Sequence, residues 1–122
     1  MLLRFWGTRG SLPVALSGQG VRDKVFAALR QSAGRAFATE NELNEFIDNE
    51  LDFATSHGYG GNSSCVEVVG GENTVICDMG SGLRELGQQV MIEHGPATLR
   101  RYDFFMSHVH WDHIMGLPFF AP

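Results

Sequence analysis

A chain of 122 residues is long enough for one small domain with a modest core. With 43% hydrophobic and 19% charged residues, its composition is that of a folded protein and argues against disorder, and no apolar run approaches the length of a transmembrane helix. The net charge of −5 speaks against a broad nucleic-acid-binding surface, which needs clustered Lys and Arg, but leaves room for a small phosphate ester held by metal ions.

The N-terminal run Leu2 to Trp6, closed by Gly7, reads as a buried strand, and Gly7-Thr8-Arg9-Gly10-Ser11-Leu12-Pro13 as a loop. This N-terminus has the wrong order of charge and apolar residues for a signal peptide, so the cytoplasm is the expected compartment. From Val21 to about Phe53 the pattern becomes helical. Val21, Val25, Ala28 and Leu29 share one face of a first helix, which Gly34 can stop. Thr39 with Glu42 forms a capping box for a second helix, whose apolar face is Leu43, Phe46, Ile47 and Leu51. The expectation is a helical hairpin, about 21–53, inserted between strands as a cover on the core or as a lid over a site.

Ser64 to Val69 and Thr74 to Cys77 are β-branched runs separated by Gly70-Gly71-Glu72-Asn73, a β-hairpin signature. Cys65 and Cys77 lie within these runs, with no CxxC pairing, and read as buried free thiols. Asp78-Met79-Gly80-Ser81-Gly82 is a glycine-rich turn into a helix from about Leu83, with Leu83, Leu86, Val90 and Met91 on its apolar face. That helix stops at His94-Gly95-Pro96. Tyr102 to Met106 is a further strand, and the segment from Ile114 a short helix or turn broken at Pro118. The order is β, helical insertion, ββ, α, β, then a histidine-rich loop, which is an α+β or α/β pattern.

That loop, His108-Val109-His110-Trp111-Asp112-His113, places four metal-ligating side chains in six residues. At this chain's own His and Asp frequencies the pattern arises by chance about 4 times in 10,000. At a strand end His108 and His110 project to the same side and can reach one cation. Asp112 and His113, past the point where the chain turns, can reach a second. Imidazole with carboxylate suits zinc, iron or manganese, and the lack of thiolate argues against a closed structural zinc site. A structural or adventitious histidine cluster is the plain alternative.

The pattern resembles the HxHxDH motif of the metallo-β-lactamase superfamily. Leu3 to Ser11, Tyr59-Gly60-Gly61-Asn62-Ser63-Ser64-Cys65, Asp78 to Gly82 and His113-Ile114-Met115-Gly116-Leu117-Pro118 are similar to its phosphodiesterase-like branch, which includes ribonuclease Z. The resemblance covers most of the chain outside the helical insertion. It implies half of an αββα sandwich, with all 122 residues forming the N-terminal part of one such domain. It also implies two divalent ions, zinc first and manganese or iron as alternatives. His108 and His110 would hold one ion and Asp112 and His113 the other, with Asp112 also orienting a metal-bound hydroxide. Asp78 would hold the histidine loop by hydrogen bonds, and Asn62 would lie near the substrate. Turn chemistry accounts for Asp78 and Asn62 as well, and His57 reads as a surface residue.

The implied activity is hydrolysis of a small phosphodiester, cyclic-nucleotide-like or RNA-like. In the superfamily another His, a bridging Asp and a final His come from the second half of the fold, so the complete site is expected to need residues beyond 122. A complementing C-terminal half or a homodimer is the expected partner, with no membrane. Two alternatives remain: a thioester hydrolase or iron-dependent persulfide dioxygenase of the same fold, and a non-catalytic metal- or partner-binding half-domain.

Overall fold

Four runs rich in β-branched and aromatic residues build the sheet of the larger of two compact units, Met1–Val14 with Gly60–Pro122. The structure is a computed structural model and describes residues 1–58, 60–71, 73–96 and 100–121. Tyr59 of the glycine-rich stretch, Glu72 of the hairpin turn and Pro122 lie outside the described residues.

Strands β1 (Leu2–Gly7), β2 (Cys65–Val69), β3 (Thr74–Cys77) and β4 (Tyr102–Phe105) lie in that order across the sheet. The first three are antiparallel neighbours, with a register shift between Phe5 and Gly7, and β4 runs parallel to β3. The parallel pair requires a crossover, supplied by helix α4 (Gly82–His94), so the fold class is α+β with a mixed sheet. As expected, the hairpin β2–β3 forms and α4 ends at Gly95, whose φ of +75° lies in the left-handed region.

Strand alternation divides the sheet into two unlike faces. Cys65 and Ile76 on one face pack with Leu83 and Leu86 of α4, all four fully buried, and Trp6, Val90, Tyr102, Phe104 and Phe120 pack around them. Residues paired across the strands on the other face are apolar too: Phe5 with Val66, Leu3 with Val68, and Cys77 with Phe105. There Leu3, Phe5 and Phe105 are 46%, 64% and 62% exposed. The expectation of a buried first strand is therefore corrected. β1 is an edge strand and only its C-terminal end, Trp6 and Gly7, reaches cover. The two cysteines are free, and their register places them on opposite faces of the sheet. Burial pushes the Cys65 thiol up to about 12, so it behaves as a small apolar side chain.

The second unit, Ala15–Tyr59, contains α1 (Gly18–Gln31), α2 (Glu40–Glu45) and α3 (Phe53–Ser56). Ser17 caps α1 by accepting from Gly20 N at 3.1 Å. Thr39 caps α2, accepting from Glu42 N at 3.2 Å, but the Glu42 carboxylate reaches back to Ala38 N rather than Thr39. The expected second helix does not continue to Phe53. It widens into a π-helical turn, Phe46–Glu50, closed by Leu51 N donating to Phe46 O. Leu51 is then extended, and Asp52 caps α3 through Thr55 N. The predicted apolar faces are also largely uncovered. Val21, Val25 and Leu29 are exposed, and of the second face only Phe46 is buried. No helix among the described residues is long and apolar enough to cross a membrane.

Candidate metal centre

Beyond the carboxyl ends of the parallel strands β3 and β4 the chain leaves the sheet at Asp78 and at Ser107, which is where ligands meet open sheets containing parallel strands. Asp78 adopts φ +62°, a left-handed conformation that Asp tolerates better than most residues. In that conformation its N–H donates to Phe105 O at 2.9 Å while its side chain lies buried under the histidine loop. Oδ1 accepts from Ser107 N and Ser107 Oγ at 2.8 and 2.9 Å, and Oδ2 accepts from Ser64 Oγ at 3.1 Å. Nδ1 of His113 lies 2.8 Å from Oδ2. Burial alone would push this carboxyl up. The bonds from the Ser107 N–H, His113, Ser107 Oγ and Ser64 Oγ outweigh it and hold the group below its ordinary range.

The backbone fixes the loop just as firmly. Met79 N donates to His113 O, Gly116 N to Met79 O and Gly80 N to Ser64 O, each within 2.8–2.9 Å. These bonds press two stretches of main chain together. A Cβ on Gly116 would stand 2.0 Å from Gly80 O, and one on Gly80 2.5 Å from Asp112 O. The glycines are needed here for close approach.

The structure brings together all four residues of the motif. His108 Nε2 is 3.1 Å from His110 Nδ1, and the rings of His108 and His113 have centroids 4.1 Å apart. Asp112 and His113 lie in a 3₁₀ turn, Trp111–His113, with Asp112 Oδ2 3.4 Å from His113 Nε2. Asp112 Oδ2 also accepts from Ser11 N at 3.0 Å. Burial opposes ionisation of Asp112, but the Ser11 N–H, its own N–H, His113 and His110 hold its carboxyl low. Pro118 does not break the segment that follows. It sits in the first turn of a second 3₁₀ turn, Leu117–Phe119, where a missing N–H costs nothing.

The donor set fits a divalent ion: imidazole nitrogens and an ionised carboxylate, with one imidazole held from behind by a second carboxylate. Because ionised Asp78 can only accept, His113 Nδ1 carries a proton, and in the neutral imidazole Nε2 is then the lone-pair donor, beside Asp112. His108 and His110 face each other. Among the described residues no three His, Cys, Asp or Glu side chains already converge on one cation position. Both residues are exposed.

Asn62 lies outside this hydrogen-bond network. Its Oδ1 accepts from Ser81 Oγ at 3.0 Å, and it lines a cavity of about 290 Å³ with Pro13, Ser81, Arg84, Met115 and Phe119. His57 belongs to the other unit, bonded to Ser56 Oγ at 2.7 Å and stacked on Phe53. Sequence reasoning missed Ser11, Ser64 and Ser107. Ser107 precedes the motif directly and was findable as a hydroxyl at a strand end. Ser11 acts through its backbone at φ +65°, which no side-chain pattern announces.

Searched against family models, curated proteins and solved structures, the chain matches none.

Proposed function

We propose that the chain is the N-terminal half of a metallo-β-lactamase-type αββα sandwich, of the phosphodiesterase-like branch, and that His108, His110, Asp112 and His113 hold divalent metal for phosphodiester hydrolysis. The observation that carries the reading is the set of bonds on Asp78. A buried, ionised carboxylate that fixes a histidine tautomer from behind is the arrangement that prepares an imidazole to ligate. The apolar, uncovered sheet face bearing Leu3, Phe5 and Phe105 supports the half-sandwich, since a second sheet from a C-terminal half or a second copy would cover it.

Two divalent ions, zinc first and manganese or iron otherwise, would polarise a phosphoryl oxygen and make hydroxide available at neutral pH by lowering the pKa of water to about 7. The chain's own residues perform the holding. His108 and His110 take one ion, and Asp112 and His113 the other. Asp78 and Ser107 set the orientation of His113, and the Ser11 N–H keeps Asp112 turned toward it. The remaining ligands would come from residues beyond this segment or from a second copy.

Elemental analysis of the purified chain after reconstitution tests the centre, with His110→Ala as control. About one metal or more per chain, lost in the control, is the expected result. A chain that stays free of metal both alone and with the complementing half or second copy in place overturns it. Hydrolysis of a phosphodiester ester by the metal-loaded, completed protein separates this chemistry from its relatives. Cleavage of a thioester, or oxygen uptake with a persulfide, in its place would replace the phosphodiesterase reading.

A further inference from the structure

The 15–59 unit carries two apolar stripes of opposite charge that remain partly exposed. Helix α1 turns its small residues Ala27 and Ala28 inward and carries Lys24 to the carbonyls of Ala54 and His57 around α3. This leaves Val21, Val25, Phe26 and Leu29 between 48% and 66% exposed. Arg22 and Arg30 lie on the helical positions beside this stripe, by their spacing along α1.

The second stripe is on the α2 and π-turn segment. Leu43 and Ile47 are 42% and 38% exposed. Residues 40–50 include Glu40, Glu42, Glu45, Asp48 and Glu50 and no basic residue. Glu42 is taken up by the Ala38 N–H, Glu45 by Asn49 and Glu50 by Arg35. Among the described residues Arg22, Arg30, Glu40 and Asp48 make no ion pair.

We propose that this unit is a self-association surface, in which the basic apolar stripe of α1 in one copy packs on the acidic Leu43–Ile47 stripe of a second copy, and the reverse. A two-fold axis makes every such contact occur twice, so two modest stripes add to one interface. Burying Val25 and Leu29 against Leu43 and Ile47 supplies the attraction. The unpaired Arg22, Arg30, Glu40 and Asp48 set the orientation, because the like stripe would bring Arg toward Arg.

Sedimentation equilibrium of the full 122-residue chain tests this, at low and high salt. The expected result is a reversible dimer that weakens as salt rises, as exposed charge pairs require. Val25→Asp and Leu29→Asp should each weaken it at least about tenfold, a shift of about 1.4 kcal/mol, with an unchanged circular dichroism spectrum because both side chains already face solvent. Arg22→Glu with Arg30→Glu should weaken it at low salt, and adding Glu40→Arg with Asp48→Arg to the same chain should restore it. That rescue distinguishes pairing from misfolding. A chain that remains monomeric at all concentrations overturns the proposal. So does a dimer indifferent to these changes, or one lost through Leu3→Asp and Phe5→Asp alone, which would place association on the sheet face.

Discussion

The two units of this chain are held together by different means. In the sheet unit, bonds join residues far apart in sequence: Ser107 to Asp78, Met79 to His113, and Ser11 to Asp112 across about a hundred residues. A buried cluster of Cys65, Ile76, Leu83 and Leu86 backs them. In the helical unit the side-chain caps are local, from Ser17 to Gly20, Thr39 to Glu42 and Asp52 to Thr55. Its longer-range ties, Lys24 to the carbonyls of Ala54 and His57 and Arg35 to Glu50, are exposed, and Phe46 is its one buried apolar side chain among the described residues. Caps define where helices begin but bury almost nothing, so their elements form without a shared core. A site that needs side chains fixed to a fraction of an ångström belongs in the first kind of structure. A surface that recognises another copy tolerates the second.

Removing Phe46 should break the contrast most sharply. Its ring contacts Phe37 at 5.2 Å, and the Arg35 guanidinium, itself bidentate to Glu50, lies 5.1 Å from it. Phe46→Ala should cost the helical unit about 3–5 kcal/mol, the usual range for a buried Phe. With so little else buried there, amide exchange in 15–59 should rise toward the unprotected rate while β2, β3 and α4 keep their protection. Simultaneous loss of protection in both units would show that they unfold as one, contrary to the difference in their cores.

Gly116→Ala is the matching change in the sheet unit. The added methyl meets the main chain at Gly80 rather than a side chain that can turn away. The expected loss is about 1–3 kcal/mol, read as a lower thermal midpoint, with the Met79–Gly116 bond displaced and the histidine loop shifted. An unaltered midpoint would mean that the two loops are free to separate, and the pre-set orientation of His113 would go with it.

Much of this was legible in the sequence because its causes are local. The β2–β3 hairpin, the stop at Gly95 and the Thr39 cap follow from residue types at fixed short spacings, and they are found where those spacings put them. The four ligand candidates were legible because six consecutive residues cannot be far apart. Exposure of β1 was not, because whether an apolar strand is buried depends on what lies across the sheet. The π-turn was not, since Phe46–Glu50 keeps an ordinary helical pattern and only the later Asp52 cap reveals the break. Ser11 escaped because its contribution is a backbone N–H at an unusual φ.

Asp78 gives the smallest expected change in stability and the most specific one. Its folded-state carboxyl is held below the ordinary value of 3.8. Its ionised form therefore stabilises the sheet unit fully above that value, and the contribution disappears as pH falls through the lower folded value. Asp78→Asn should flatten this part of the acid limb, seen as the difference between the two proteins' midpoints on descending from about pH 5. The same substitution has a second consequence at neutral pH. An amide nitrogen at the Oδ2 position donates where the carboxylate accepted, so His113 Nδ1 must become the acceptor and its proton must move to Nε2. That nitrogen could then no longer ligate, and zinc affinity should fall about 10–100-fold in a protein that still folds at pH 7. A variant that loses the acid-limb difference but keeps full zinc affinity would show that Asp78 acts as a turn residue alone, and that the tautomer of His113 is set elsewhere.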